Sequence, residues 1–165
     1  MKSILKTSTI LLLLVFLNTQ NAFTQEQTAA LSSEQMDDES AVKAAVEAFL
    51  VALGTNDTVA LSTMFLANAN MGSIRLKDGK TSIYTNSVAE WLAERALKEN
   101  RLFEEPVYEY TVEITQGLLA FVRANTTLVY DGVPDHIAHD FFILMKDDGQ
   151  WKILSGSYTN LPLAE

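Results

Sequence analysis

The sequence has no cysteine, only three prolines, and 12 lysines and arginines set against 21 acidic residues. Without cysteine there can be no disulfide, no thiolate metal site, no cysteine nucleophile and no lipidated N-terminal cysteine. The shortage of basic residues leaves a formal charge of −9. That balance argues against a nucleic-acid partner, because counterion release from phosphate needs a basic stripe. It also disfavours docking on anionic lipid. Proline is too sparse to mark a linker, and neither an internal repeat nor a low-complexity tract is present. What remains is 165 residues at 48% hydrophobic content, the composition and length of one globular domain.

The N-terminus reads differently from the rest. Lys2 and Lys6 form a basic start, Ile10–Leu17 is an unbroken apolar run, and Asn18–Gln25 is polar. This is the order of a secretory signal peptide over residues 1–25, with Ala22 or Thr24 before the cut. The apolar run is too short to cross a hydrocarbon core of ~30 Å as a helix. An uncleaved anchor stays open as the alternative, since the small-residue cleavage pattern is imperfect. Cleavage would remove two lysines and no acid, giving a charge of −11, and would leave no stable membrane insertion. The expected location is therefore periplasmic or extracellular. Residues 26–36 read as a flexible leader, and 37–165 as the domain.

Within the domain, helical signals come first. Asp37 or Asp38 is a candidate cap for a helix with an apolar stripe at Val42, Val46, Phe49, Leu50 and Leu53, stopped at Gly54. Asn56-Asp57 caps a shorter helix through Leu61, Met64 and Phe65. Ser87 and Glu90 form a capping box for a third, with Val88, Trp91, Leu92 and Ala96. From Glu105 onward the period becomes two, Tyr108, Tyr110, Val112 and Ile114 alternating with Glu109, Thr111 and Glu113, and further strands are predicted through Leu118–Tyr130, His136–Lys146 and Gln150–Thr159. Asp131-Gly132 and Asp148-Gly149 supply hairpin turns, and Gln116-Gly117 marks the joint before them. Asp78-Gly79 joins two shorter strands, Asn70–Arg75 and Lys80–Thr85. The class is α+β, helices followed by an antiparallel meander.

The phrases AVKAAVEAFLVALGTNDTVALSTMF and FFILMKDDGQWKIL resemble the nuclear-transport-factor-2-like superfamily, specifically its SnoaL-like bacterial branch, over about residues 38–160. The resemblance implies a cone-shaped fold, in which a strongly curved antiparallel sheet wraps the N-terminal helices and leaves a pocket at its open end. It also implies a homodimer through the back of the sheet. It does not fix a function, because this fold hosts isomerases, dehydratases, cyclases, hydrolases and plain binding proteins.

Taking each turn's centre as the register mark pairs Tyr110 with Arg123, Asn125 with Asp140, and Asp140 with Ser157. The inner face then collects Tyr108, Tyr110, Arg123, Asn125, His136, Asp140, Ser155 and Ser157 at one end, with an apolar end formed by Ile114, Leu119, Phe121, Leu144 and Ile153. The outer face receives Ala120, Val122, Ala124, Leu128, Ile137, Phe141, Ile143, Leu154 and Tyr158, an apolar patch suited to a dimer. A register shift of one residue would exchange the faces.

An apolar chamber with a few convergent polar groups fits a small apolar or amphiphilic ligand. Asp140 is the candidate acid/base group, with His136 or Tyr110 as partner and Arg123 stabilising negative charge. Tyr108, Asn125, Ser155, Ser157, Trp91 and Arg75 are candidate ligand contacts, Trp91 having a core role as its alternative. No metal site is expected from His136, His139 and Asp140, since alternation along a strand sends His139 to the opposite face. No cofactor is expected. Where ketosteroid-isomerase-like relatives carry a carboxylate base, this chain reads Met71-Gly72-Ser73-Ile74-Arg75, which counts against that route of proton abstraction. Ligand binding is the leading expectation. A cofactor-independent acid/base enzyme and a protein-interaction module are the alternatives.

Overall fold

The apolar stripe of the first helix sets the centre of the fold, and four turns with positive φ set the sheet around it. A computed structural model describes residues 36–97 and 100–163. The predicted signal peptide and nearly all of the leader lie outside the described residues, and the compact unit is Asp38–Glu165. No described helix is long and apolar enough to cross a membrane.

Helix α1 (36–54) buries Val42, Val46, Phe49 and Leu50 along the predicted stripe. Phe49 is the hub of the core. Its ring meets Phe65 edge-on at 5.7 Å and Phe142 at 5.3 Å, and stacks on Trp91 at 6.3 Å. Neither Asp37 nor Asp38 caps this helix, because both are already inside it. Asp38 is buried and its carboxylate pairs with Lys146 at 2.5 Å. The stop also differs from expectation. Asn56, not Gly54, takes the left-handed conformation that ends the helix, with φ 55°. Gly54 answers another need: a Cβ there would lie 2.2 Å from the Phe103 carbonyl oxygen.

Asp57 caps the short helix α2 (Thr58–Thr63), its carboxylate accepting from the Ala60 N–H at 2.9 Å. The chain then enters β1 (Phe65–Lys77), so Phe65 opens a strand and does not close a helix. Asp78-Gly79 turns it into β2 (Lys80–Ser87). The Ser87–Glu90 capping box starts α3 (Val88–Leu97): the Ser87 N–H donates to Glu90 at 3.1 Å and the Glu90 N–H to Ser87 at 3.3 Å. After it come β3 (Val107–Thr115), β4 (Leu119–Tyr130), β5 (Val133–Asp147) and β6 (Gln150–Pro162).

The six strands form one curved sheet in the order β2-β1-β6-β5-β4-β3. The meander β3–β6 is antiparallel as expected, and β1 adds to β6 in parallel. The architecture is the α+β cone. Its register corrects the expected faces, for three local reasons. The β3–β4 connection holds three residues, because Thr115 pairs with Leu119, so Arg123 faces Thr111 and not Tyr110. A bulge at Asp135 sets Asn125 opposite His139 and Ala124 opposite Asp140. A second bulge at Leu154 leaves Leu144 opposite Ile153, as expected, but moves Asp140 onto Tyr158 instead of Ser157.

Residues Ala120, Val122, Ala124 and Leu128, expected on the outer face, are therefore core residues. Tyr158 also packs against the core. Leu119, Phe121, Arg123 and Asn125 alternate with the core positions of β4 and belong to the convex face. There Phe121 and Phe141 lie 6.3 Å apart, beside Leu119 and Met145, both about 40% exposed.

Candidate functional site

Along β4 and β5 the inward positions change chemistry at mid-strand. Ala120 and Val122 face Leu144 and Phe142, both apolar pairs. The next inward pairs are Ala124–Asp140, Thr126–Ala138 and Leu128–His136. The polar half opens into a cavity of about 260 Å³. Its apolar walls are Phe49 and Leu53 of α1, Met71 of β1, Leu128 and Phe142. Its polar lining is Arg75, Arg95, Asn100, Arg101, Glu105, Tyr130, His136, Asp140, Ser157, Tyr158 and Asn160. The segment 100–106 closes one side. It is fixed by Phe103 N–H donating to the Gly54 carbonyl at 3.1 Å and by a two-way bridge between Glu104 and Val129 at 2.9 Å.

Asp140 is 4% exposed and has no cationic partner within ion-pair distance among the described residues. Its neighbour is a second carboxyl, Glu105. Thr126 Oγ1 sits between the two, 2.9 Å from Glu105 Oε1 and 3.2 Å from Asp140 Oδ2. Burial pushes the Asp140 carboxyl up to about 8, the Glu105 charge and hydrogen bond add to the rise, and Thr126 opposes it. Burial also raises Glu105, against hydrogen bonds from Thr126 and Asp140 and the nearby His136. The arrangement is a buried carboxyl pair that retains one proton near neutral pH, with Asp140 the strongly raised member.

His136 belongs to a second polar chain. Its Nδ1 is 2.8 Å from the Asp135 carboxylate, and its Nε2 is 3.0 Å from the Asn160 amide. With the amide nitrogen toward His136, the Asn160 oxygen accepts from Arg75 Nη2 at 3.2 Å. In that orientation Nε2 accepts from the Asn160 amide, and Nδ1 faces the Asp135 carboxylate. The bulge that shifted the β4–β5 register is the same one that brings Asp135 beside His136.

Of the residues singled out from sequence, the cavity gathers Asp140, His136, Arg75 and Ser157. The others lie elsewhere. Arg123 is on the convex face, where Nε donates to Asn125 Oδ1 at 3.0 Å. Asn125 is buried on that face and bonds Glu109, Arg123 and His139. His139 thus faces away from Asp140, as strand alternation requires. Ser155 donates to Asn70 Oδ1 at 2.9 Å, clear of the cavity. Tyr108 is the extra residue of a bulge in β3 and is 60% exposed. Tyr110 points to Glu47 of α1 at 3.4 Å, and burial with that carboxylate raises its phenol. Trp91 is buried in the core against Phe49 and Phe65.

Glu105, Thr126, Arg95, Arg101 and Asn160 were missed. Arg95 had a visible signal, since Val88, Trp91, Leu92 and Arg95 share one helical stripe. Glu105 had none, because it precedes the first regular pair of β3 and no alternation tells which way it points.

A family profile described as "Putative lumazine-binding" matches residues 37–159. No curated protein matches the chain significantly. Among solved structures, a protein of unknown function from Mycobacterium tuberculosis is 16% identical with TM-score 0.65, the alignment covering 81% of this chain and 77% of that one. A nuclear-transport-factor-2-like protein with a cystatin-like fold from Novosphingobium aromaticivorans is 11% identical with TM-score 0.62, over 80% and 87% of the two chains. A protein titled "putative dehydratase" of the same fold family, from Streptomyces avermitilis, is 19% identical with TM-score 0.58, over 79% and 99%. These structures share the fold seen here, a curved six-stranded sheet wrapped around α1. The profile spans most of the chain, and the protein belongs to the family described as putative lumazine-binding.

Proposed function

We propose that this protein binds a compact, flat, amphiphilic small molecule in the cone cavity, with the Asp140 proton as its main hydrogen-bond donor. The carrying observation is the carboxyl pair: Asp140, 4% exposed, sharing Thr126 with Glu105 inside a cavity with aromatic walls. A volume of about 260 Å³ lies below the roughly 300–1,000 Å³ typical of drug-sized ligands, which favours a small ring system. The family's description supports a fused heterocycle such as lumazine, whose carbonyl oxygens would accept from Asp140.

The test is a thermal-shift titration of the full chain with lumazine, wild type beside Asp140→Ala, which removes the donor. At a hundredfold excess over Kd, binding adds about 2.7 kcal/mol of stability, a readable rise in Tm. The rise is expected in the wild type and reduced in the variant. An equal rise in both would remove Asp140 from the site.

The second reading is acid/base catalysis without a cofactor. One observation favours it: the proton on the Asp140–Glu105 pair is held near neutral pH, where general acids work best. Exchange of solvent deuterium into a bound ketone, lost in Asp140→Asn, would establish it.

The reading extends to export through residues 1–25 and to a homodimer. The basic start and apolar run support the first. The convex patch of Leu119, Phe121, Phe141 and Met145 supports the second. N-terminal sequencing of the protein recovered from outside the cytoplasm checks export, and light scattering of the purified chain checks the dimer.

A further inference from the structure

Helix α3 carries a charge into the cavity along an otherwise apolar stripe. Val88 and Trp91 are buried, Leu92 packs against the same core, and Arg95 occupies the next position of that face. The Arg95 guanidinium lies over the Trp91 ring at 5.2 Å and donates from Nη2 to the Leu53 carbonyl at 2.8 Å. Its Nε is buried and has no partner. Among the described residues, no carboxylate lies within ion-pair distance of it. The other two cavity arginines have partners: Arg101 pairs with Asp131 at 2.5 Å, and Arg75 donates to Asn160 when the Asn160 amide nitrogen is turned toward His136.

Burial lowers Arg95 from its ordinary value, yet a guanidinium stays charged in any protein. Charge without a counter-charge inside a protein is costly, and such groups are normally paired. The cavity's own acids do not serve. Asp140 keeps its proton at neutral pH, and Glu105 is turned to Thr126 and Asp140. The site is therefore net positive, inside a chain whose overall charge is −9.

We propose that the ligand is a flat organic monoanion, a carboxylate or deprotonated imide on an aromatic ring, whose negative group completes the coordination of Arg95. The planar fork of Arg95 suits a two-oxygen or oxygen–nitrogen edge. Arg75 flanks the charge, the ring lies among Phe49, Phe142 and Tyr158, and the far edge meets Asp140. This inference rests on the cavity being a binding site and adds the sign of the ligand's charge and the residue that reads it.

The experiment uses two compounds of one shape, 2-naphthoate and 2-naphthamide, titrated calorimetrically into the full chain at pH 7. Naphthoate is expected to bind at least tenfold more tightly. Arg95→Gln should abolish the preference for naphthoate over naphthamide, while Arg123→Gln on the convex face leaves the preference as it was. Equal affinities in the wild type would overturn the charge assignment and keep the cavity as a binding site. Retention of the tenfold preference in folded Arg95→Gln would overturn the role of Arg95. Failure of both compounds to bind would overturn it together with the ligand-binding reading. The wild-type ratio decides the sign of the charge whether or not the variant folds.

Discussion

The two halves of the β4–β5 strand pair are built on the same register and the same backbone, and they do opposite things. At the end nearer the β3–β4 turn, Ala120, Val122, Phe142 and Leu144 lock against α1, all of them buried and apolar. At the other end, Asp140 and His136 line a cavity, with Thr126 buried beside Asp140. The dry half gains from every contact it makes. The cavity half retains a buried acid without a cation and a guanidinium without a counterion, both of which destabilise the fold on their own. Unfavourable local choices of this kind concentrate where a protein meets its ligand.

The largest effect that tests this contrast is in the dry half. Phe49→Ala removes the ring at the centre of three aromatic contacts and should cost about 3–5 kcal/mol, read as a lower urea midpoint. A loss under about 1 kcal/mol would show that the packed end does not carry the fold.

In the cavity half the sign reverses. The unfolded Asp140 carboxyl ionises near 3.9, whereas the folded one keeps its proton to about 8. Between those values the folded state binds the extra proton, so stability falls as pH rises from about 4 to 8 and levels off above. Asp140→Asn removes that slope and should stabilise the protein by about 1–2 kcal/mol at pH 8, with little change near pH 4. Urea titrations at the two pH values measure it, and a destabilised variant at pH 8 would contradict the uncompensated burial of Asp140.

Glu105→Gln sharpens the same point at smaller scale. It removes the negative charge that helps raise Asp140, so the Asp140 carboxyl should titrate about one unit lower in carbon-13 spectra. An unmoved titration would mean that desolvation alone holds the proton.

The dry half was legible in the sequence because its signals are local and periodic. The α1 stripe, the Ser87–Glu90 box and the Asp-Gly turns each depend on residues within a few positions of one another, and each formed as read. The cavity half was legible only in part. Asp140 and His136 stand out as polar residues at inward positions of β5, and both line the cavity. Which residues face them depends on whole-sheet register, and a three-residue β3–β4 connection with single inserted residues at Asp135 and Leu154 shifted three strand pairs. A bulge leaves no periodic trace, so the sequence places Arg123 on the same face as Asp140 and does not place Glu105 there. Arg95 was readable and overlooked: a charge on the apolar stripe of a helix marks a place where the core gives way to something else.

The smallest expected effect separates the two faces of the sheet. In the register inferred from turn centres, Arg123 would hold the Asp140 carboxylate in its charged form, and removing it would raise the Asp140 titration further. In the observed register Arg123 is across the sheet, bonded to Asn125. Arg123→Gln should then leave the Asp140 titration unmoved and change stability by no more than about 0.5 kcal/mol, as for most surface substitutions. Since the same variant must also leave ligand affinity intact, a shift in either titration or binding would mean that the convex face communicates with the cavity through β4. The strand's alternation gives no path for that. Asp140 faces Ala124, whose methyl group transmits no charge, while Arg123 and Asn125 on either side of it point away.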